Sequence, residues 1–205
     1  MANPVATVQQ QIPIEDGSLT LLRDWIPPAE ALDLFSLLRD ELAWEQSVIR
    51  IAGVHRQIPR LNAWYGDKGA SYRYSGTNFD PIPWTPTLAQ LRTRLVEALA
   101  IEFNSVLANL YRDGNDCVGW HSDDEKELGR EPCIASISLG TERRFVMKHK
   151  RDKSIPRIEL KLPPGSLLVM SGTTQHHWIH QLPRTKLPVG PRINLTFRRI
   201  VTCAA

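Results

Sequence analysis

Between residues 104 and 200 the chain never stays apolar or polar for long. Seven short runs recur there: "SVLANLY", "IASISLG", "RRFVMKH", "IELKL", "SLLVMSG", "HWIHQL" and "RINLTFRRI". Each is too short for a stable helix, and turn residues separate it from the next. Many short strands at regular intervals predict two packed antiparallel sheets, a sandwich or jelly roll. The last run alternates most clearly. Ile193, Leu195 and Phe197 fall on one parity, and Arg192, Asn194, Thr196 and Arg198 on the other. A half-buried strand has this period. Its polar face carries two arginines framing an amide and a hydroxyl. Such a face belongs either to a solvent-facing edge strand or to a strand lining an interior site.

Two helices are expected upstream. In "PPAEALDLFSLLRDELAW", Ala31, Leu34, Phe35, Leu38 and Leu42 recur at helical spacing, with proline at the entry, where it is tolerated. In "TPTLAQLRTRLVEALAIEF", Leu88, Leu91, Leu95 and Leu99 do the same, behind a Thr-Pro start. The expected fold is mainly β, with both helices packed on one side of a sheet. Residues 1–27 read as an N-terminal extension, and 28–205 as one domain. Within it, 48–84 is a segment of short Gly-closed runs rich in Trp and Tyr, and 104–200 is the β core. A length of 205 residues suits a single domain that needs no covalent staples. Cys117, Cys133 and Cys203 have no metal-finger spacing and are odd in number, which predicts reduced thiols. No secretory signal or membrane-spanning run is expected. A net charge of +3 is too small to indicate a partner by itself.

Chemistry enters with "WHSDDE". His121 and Asp123 are two residues apart, so on a strand they point to the same side. A second histidine from another strand would complete a 2-His-1-carboxylate facial triad, which leaves positions on iron(II) open to a co-substrate and dioxygen. "TQHHWIHQLP" offers His176, His177 and His180; His180 is favoured and His177 is the alternative. If the polar face of the last strand looks inward, Arg192 and Arg198 can meet carboxylates through planar forks. Asn194, Asn109 and Tyr111 can add hydrogen bonds. "ERRFVMKHKRDK" gathers Arg143, Arg144, Lys148, Lys150, Arg151 and Lys153 in one short stretch. This is either a solvated hairpin tip or a contact surface for phosphates.

Taken together, "NLYRDG", "WHSDDE", "ASISLG", the distal histidine and "PRINLTFR" resemble the AlkB-type iron(II)/2-oxoglutarate dioxygenases. "PRLNAWYGD" and "YRYSG" resemble the branch typified by the second and third animal AlkB homologues. The resemblance runs from about Pro59 to Ile200 and implies a double-stranded β-helix, a jelly roll with helices on one side. It implies Fe(II) held by His121, Asp123 and His180, which lies twelve residues before Arg192 as the family pattern has it. It implies that Arg192 pairs with the far carboxylate of 2-oxoglutarate, with Arg198, Asn194, Asn109 and Tyr111 as further contacts. Residues 48–84 would recognise the nucleotide, with Tyr72, Tyr74 and Glu125 beside the target base.

The implied reaction is oxidative demethylation of bases of the 1-methyladenine and 3-methylcytosine type. It consumes O2 and 2-oxoglutarate and releases succinate, CO2 and formaldehyde. The base must leave its stack to be reached, and the basic run would hold the backbone. In the duplex-preferring relative, the loop ahead of "PR" carries an aromatic wedge. The matching position here is Ala52, with Ile51 as a possible substitute, so single strands are the expected substrate, in DNA and as an alternative in RNA. The implied enzyme is a monomer with no membrane partner, cytoplasmic or, in a eukaryotic cell, nuclear. Two other readings are a same-fold dioxygenase acting on a protein side chain or small molecule, and a metal-binding jelly roll used only for recognition. The complete set of metal and co-substrate residues argues against the second.

Overall fold

A computed structural model describes residues 8–51, 53–74 and 77–201, with side chains except at 8, 49–51, 72–74 and 77–79. Ala52, and the side chains of Ile51, Tyr72 and Tyr74, lie outside the described residues.

Alternation builds two antiparallel sheets. The larger joins β1 (Val8–Ile12), β2 (Ser18–Arg23), β13 (Leu167–Ser171), β10 (Ile134–Gly140), β15 (Arg192–Arg198), β8 (Ser105–Tyr111) and β5 (Leu61–Gly66), in that order. The smaller joins β12 (Ile158–Leu162), β11 (Arg143–His149), β14 (Trp178–Leu182) and β9 (Val118–His121). Two small hairpins complete the strands: β3 (Val48–Ile51) with β4 (Val54–Gln57), and β6 (Tyr72–Tyr74) with β7 (Thr77–Phe79).

Both expected helices form. In α1 (Pro28–Glu41), Ala31, Phe35 and Leu38 make the buried stripe. In α2 (Pro86–Leu99) the stripe is Leu88, Leu91 and Leu95, and the Thr85 hydroxyl accepts the Leu88 N–H at 3.2 Å, satisfying an otherwise orphaned donor. Both stripes pack on the same face of the large sheet, in one cluster with Val106, Ala108, Ile137, Leu139, Ile193, Leu195 and Phe197. A second cluster fills the space between the sheets, with Leu19, Leu21, Leu168 and Met170 from one and Phe145, Met147, Leu162 and Trp178 from the other. Gly140 (φ 81°) lets α1 approach the end of β10; a Cβ there would lie 2.6 Å from the Pro191 carbonyl and 2.8 Å from the Phe35 ring.

Two expectations need correction. Residues 8–26 are not an extension. β2 pairs with β13 along its length, and Leu19 and Leu21 are fully buried. The run "SLTLLRDWI" alternates too briefly to be distinguished from a tail by its own pattern. The second concerns "WHSDDE": His121 is the last residue of β9, so Asp123 lies beyond the strand rather than on it.

Candidate active site

β15 answers the question its alternation raises. All seven of its residues are buried, so neither face meets water. Its apolar parity packs against the helices, and Arg192, Asn194, Thr196 and Arg198 line a cavity between the two sheets. Arg60, Asn109, Tyr111, His121, Asp123 and His180 complete the polar wall, and Leu107, Phe145, Met170 and Leu182 the apolar one. Three guanidiniums face one carboxylate, so the cavity favours an anion.

His121, Asp123 and His180 come together with their ligand atoms within 4.8 Å of one another. Strand pairing sets this up, because His180 on β14 sits directly opposite His121 on β9, and the register shifts just beyond it. The His121 Nδ1–H donates to the Gly119 carbonyl at 2.8 Å, which leaves Nε2 as the bare nitrogen a metal requires. His180 has a buried Nδ1 with no hydrogen-bond partner among the described residues. Burial, and then the neighbouring His121, push the His180 imidazolium down to about 3, so the ring is neutral at ordinary pH. Burial alone would raise the Asp123 carboxyl. Arg198, donating to Oδ1 at 2.9 Å, and the two imidazoles overcome this and hold it below the usual range. The Asp123 backbone N–H donates to the buried Gln175 Oε1 at 2.9 Å, which fixes the carboxylate from the main-chain side. Two neutral imidazoles and a carboxylate, with one ring anchored in the correct tautomer, fit a divalent iron site with open positions.

Arg192 is 2% exposed. Burial pulls its guanidinium down to about 10, still charged at neutrality. One Nη donates to Ser138 Oγ at 2.9 Å, while its Nε is buried with no hydrogen-bond partner among the described residues. An orphaned guanidinium donor inside a cationic cavity is what the carboxylate of 2-oxoglutarate would satisfy. The Tyr111 ring lies between two guanidiniums, 5.4 Å from Arg192 and 5.9 Å from Arg143. Asn109 accepts the Arg60 Nε–H at 2.7 Å. Asn194 turns to the neighbouring strand, donating to Ser136 Oγ and the Ile137 carbonyl and accepting from Thr196.

The remaining expected residues lie apart from this centre. Glu125 is half-buried at the head of a 3-10 turn (Lys126–Leu128) and is not among the cavity-lining side chains. His176 is exposed against the Arg130 carbonyl. His177 ends the short helix α3 (Thr174–His177) and faces Asp16 and His149 instead. The basic run does not form one surface. Arg143 is buried, and its guanidinium donates to the carbonyls of Asp113, Asp116 and Pro183, so it is no phosphate contact. Arg144 is paired with Glu159, Lys150 with Asp124, and Lys148 covers the Trp120 ring at 4.3 Å. Arg151 and Lys153 are exposed.

Arg60 and Gln175 are site residues that the sequence pattern did not mark. Arg60 precedes a strand and Gln175 sits in a single helical turn, so neither belongs to a period that would show which way it points.

A sequence profile of the 2OG-Fe(II) oxygenase superfamily matches residues 18–198. The chain is 40% identical over 182 residues to the mouse DNA oxidative demethylase ALKBH2, covering 84% of this chain and 76% of that one. To the human ALKBH2 it is 41% identical, covering 84% and 70%. To the human alpha-ketoglutarate-dependent dioxygenase alkB homolog 3 it is 40% identical over 179 residues, covering 83% of this chain and 62% of that one. The solved structure of OsALKBH1 superposes with a TM-score of 0.67 at 16% identity, over 93% of this chain and 100% of that one, a likeness of fold.

Proposed function

The chain belongs to the 2OG-Fe(II) oxygenase superfamily, and we propose that it repairs alkylated DNA by oxidative removal of N-methyl groups from bases of the 1-methyladenine and 3-methylcytosine type. It is an Fe(II)-dependent dioxygenase that uses 2-oxoglutarate and O2. The observation that carries the chemistry is the convergence of His121, Asp123 and His180 in one buried cavity with Arg192, whose Nε has no partner among the described residues. The DNA substrate is supported by about 40% identity to proteins named for that activity.

His121, Asp123 and His180 would hold the iron, which with O2 supplies the oxidant for the N-methyl carbon. Arg198 keeps the Asp123 carboxylate ionised and oriented. Arg192, with Asn109 and Tyr111 beside it, would hold the far carboxylate of 2-oxoglutarate and so place the co-substrate. Asn194 orders the strand that carries both arginines. Leu107, Phe145, Met170 and Leu182 give the cavity an apolar wall. The methylated base must leave its stack to enter, and Tyr72, Tyr74 and Glu125 would line its path. The methyl carbon leaves as formaldehyde, and 2-oxoglutarate as succinate and CO2.

We infer that the preferred substrate is single-stranded DNA, with RNA as a second substrate. A methyl group at Ala52 cannot fill the gap left in a duplex by a flipped base. The enzyme would act as a cytoplasmic monomer, or a nuclear one in a eukaryote. Cys117 and Cys133, free thiols among the described residues, support a reducing compartment.

The test is to incubate the chain with Fe(II), 2-oxoglutarate and one 3-methylcytosine oligonucleotide, with and without its complement, at fixed ionic strength. Mass spectrometry should show loss of one methyl group, faster from the single strand. His180→Ala should abolish turnover, and His177→Ala should leave most of it. Equal or faster duplex repair would overturn the strand preference. Loss of activity in His177→Ala but not in His180→Ala would overturn the ligand set.

A further inference from the structure

Beside the first residue of β14, which pairs with His149, a second set of metal-ligating side chains converges. Asp16, His149 and His177 have their ligand atoms within 4.8 Å of one another. They come from three places far apart in sequence: the β1–β2 turn, the end of β11, and the end of α3. Asp16 Oδ2 lies 3.4 Å from His149 Nε2 and 3.7 Å from His177 Nδ1. Two ligands about 2.0–2.1 Å from a tetrahedral ion are about 3.4 Å apart, so both contacts have the length of a coordination edge. They are too long for charge-assisted hydrogen bonds, which would be about 2.7–2.9 Å. The His149 side chain is 5% exposed, and its Nε2 is buried with no hydrogen-bond partner among the described residues. A buried imidazole nitrogen aimed at a carboxylate and left without a hydrogen bond has an unmet need. The Asp16 and His177 side chains are 54% and 37% exposed, so the cluster opens to water on one side.

We propose that Asp16, His149 and His177 form a second divalent-metal site, of the class that imidazole and carboxylate select in zinc and its neighbours, with water as the fourth ligand. The site is structural. His149 pairs with Trp178 across β11 and β14, and Trp178 Nε1–H donates to the Glu15 carbonyl beside Asp16. Ser18 N–H donates to Thr174 Oγ1 at 2.9 Å, tying the same turn to α3. A metal ion would fasten the β1–β2 turn to the smaller sheet, two residues along β14 from His180. Loading has a definite cost. His149 Nδ1 now accepts the Asp152 N–H at 2.9 Å, whereas an Nε2-ligated neutral imidazole carries its proton on Nδ1. Metal entry therefore breaks this hydrogen bond in the exposed 151–154 turn.

The probe is Co(II), titrated under anaerobic conditions into the metal-free full-length chain and counted by equilibrium dialysis. Wild type should bind two equivalents. Asp16→Asn, which keeps a residue tolerant of the left-handed backbone at that position (φ 52°), and the half-exposed His177→Ala should each bind one. His180→Ala should also bind one, at the second site, and in that variant Co(II) should shift the Asp152 amide resonance. A single equivalent in wild type that is lost in His180→Ala would overturn the proposal while leaving the iron site intact. So would two equivalents in both Asp16→Asn and His177→Ala. A wild-type equivalent that survives in His180→Ala but not in His177→Ala would support the second site and count against the iron ligands instead.

Discussion

A single guanidinium in this protein does one of two different jobs, and its surroundings decide which. Arg192 donates one Nη to Ser138 and has a buried Nε to offer. Arg192→Ala should raise the 2-oxoglutarate requirement at least tenfold with little loss of thermal stability, because the apolar face of β15 is unchanged. Arg192→Lys should rescue only in part, since an ammonium has no planar fork. Co-substrate titration checks both, and an unchanged requirement in Arg192→Ala would remove its assignment. Both Nη atoms of Arg143 are engaged by carbonyls, those of Asp113 and Asp116 in one loop and that of Pro183 in another. Arg143→Met should cost roughly 1–3 kcal/mol, the range for leaving buried acceptors unsatisfied, against less than about 0.5 kcal/mol for exposed Arg151→Ala. Denaturant melts separate the two. Asp116, below the same guanidinium, takes three hydrogen bonds from Arg112. Burial would raise its carboxyl, but these bonds and the nearby guanidiniums hold it below the ordinary 3.8. A lowered folded value means that the stabilisation is complete above 3.8 and disappears as pH falls through the folded value. Asp116→Asn should therefore melt below wild type at pH 7, with the gap narrowing at about pH 3. A gap independent of pH would show that the charge contributes nothing.

At the scale of strands and helices, the chain was legible wherever a period persisted. Both helices and the seven runs after residue 104 needed only spacing to be recognised, and β15 declared two faces. The pattern could not say that its polar face was interior, because alternation looks the same toward water and toward a cavity. The arginine pair was informative only once it was joined to the H-x-D pair and the later histidine. Two strands were missed. β9 carries a ligand on four residues, and β2 read as the end of a tail. Long-range pairing, which no local pattern records, places β2 beside β13. Leu21 is fully buried between the sheets on β2, so Leu21→Ala should cost about 2–5 kcal/mol. A loss below about 1 kcal/mol in urea titration would return this segment to the status of an appendage. Arg143 was misplaced on the basic face because residues along β11 alternate between the interior and the outer face.

Across the whole molecule, charge that looks pooled in the sequence is divided in space. Of the six cations expected along the backbone track, Arg143 is interior and Arg144 and Lys150 face carboxylates. Lys148, Arg151 and Lys153 remain for phosphates. Neutralising these three together should reduce the salt slope of single-strand binding by about 2, from about −0.7 per phosphate, and Arg144→Gln should leave it unchanged. A larger change for Arg144→Gln would place the nucleic acid across β12 instead. The order of the large sheet has another consequence. β15 is the most C-terminal of the described strands, yet it is hydrogen-bonded on both sides, to β10 and to β8. On a ribosome, β8 and β10 emerge with a vacancy between them, and their open edges must wait for residues 192–198. The strand that ends this exposure also carries Arg192 and Arg198. A nascent chain thus acquires its co-substrate anchors in the same event that seals its sheet, and a chain interrupted before residue 192 would have unprotected edges as well as no activity.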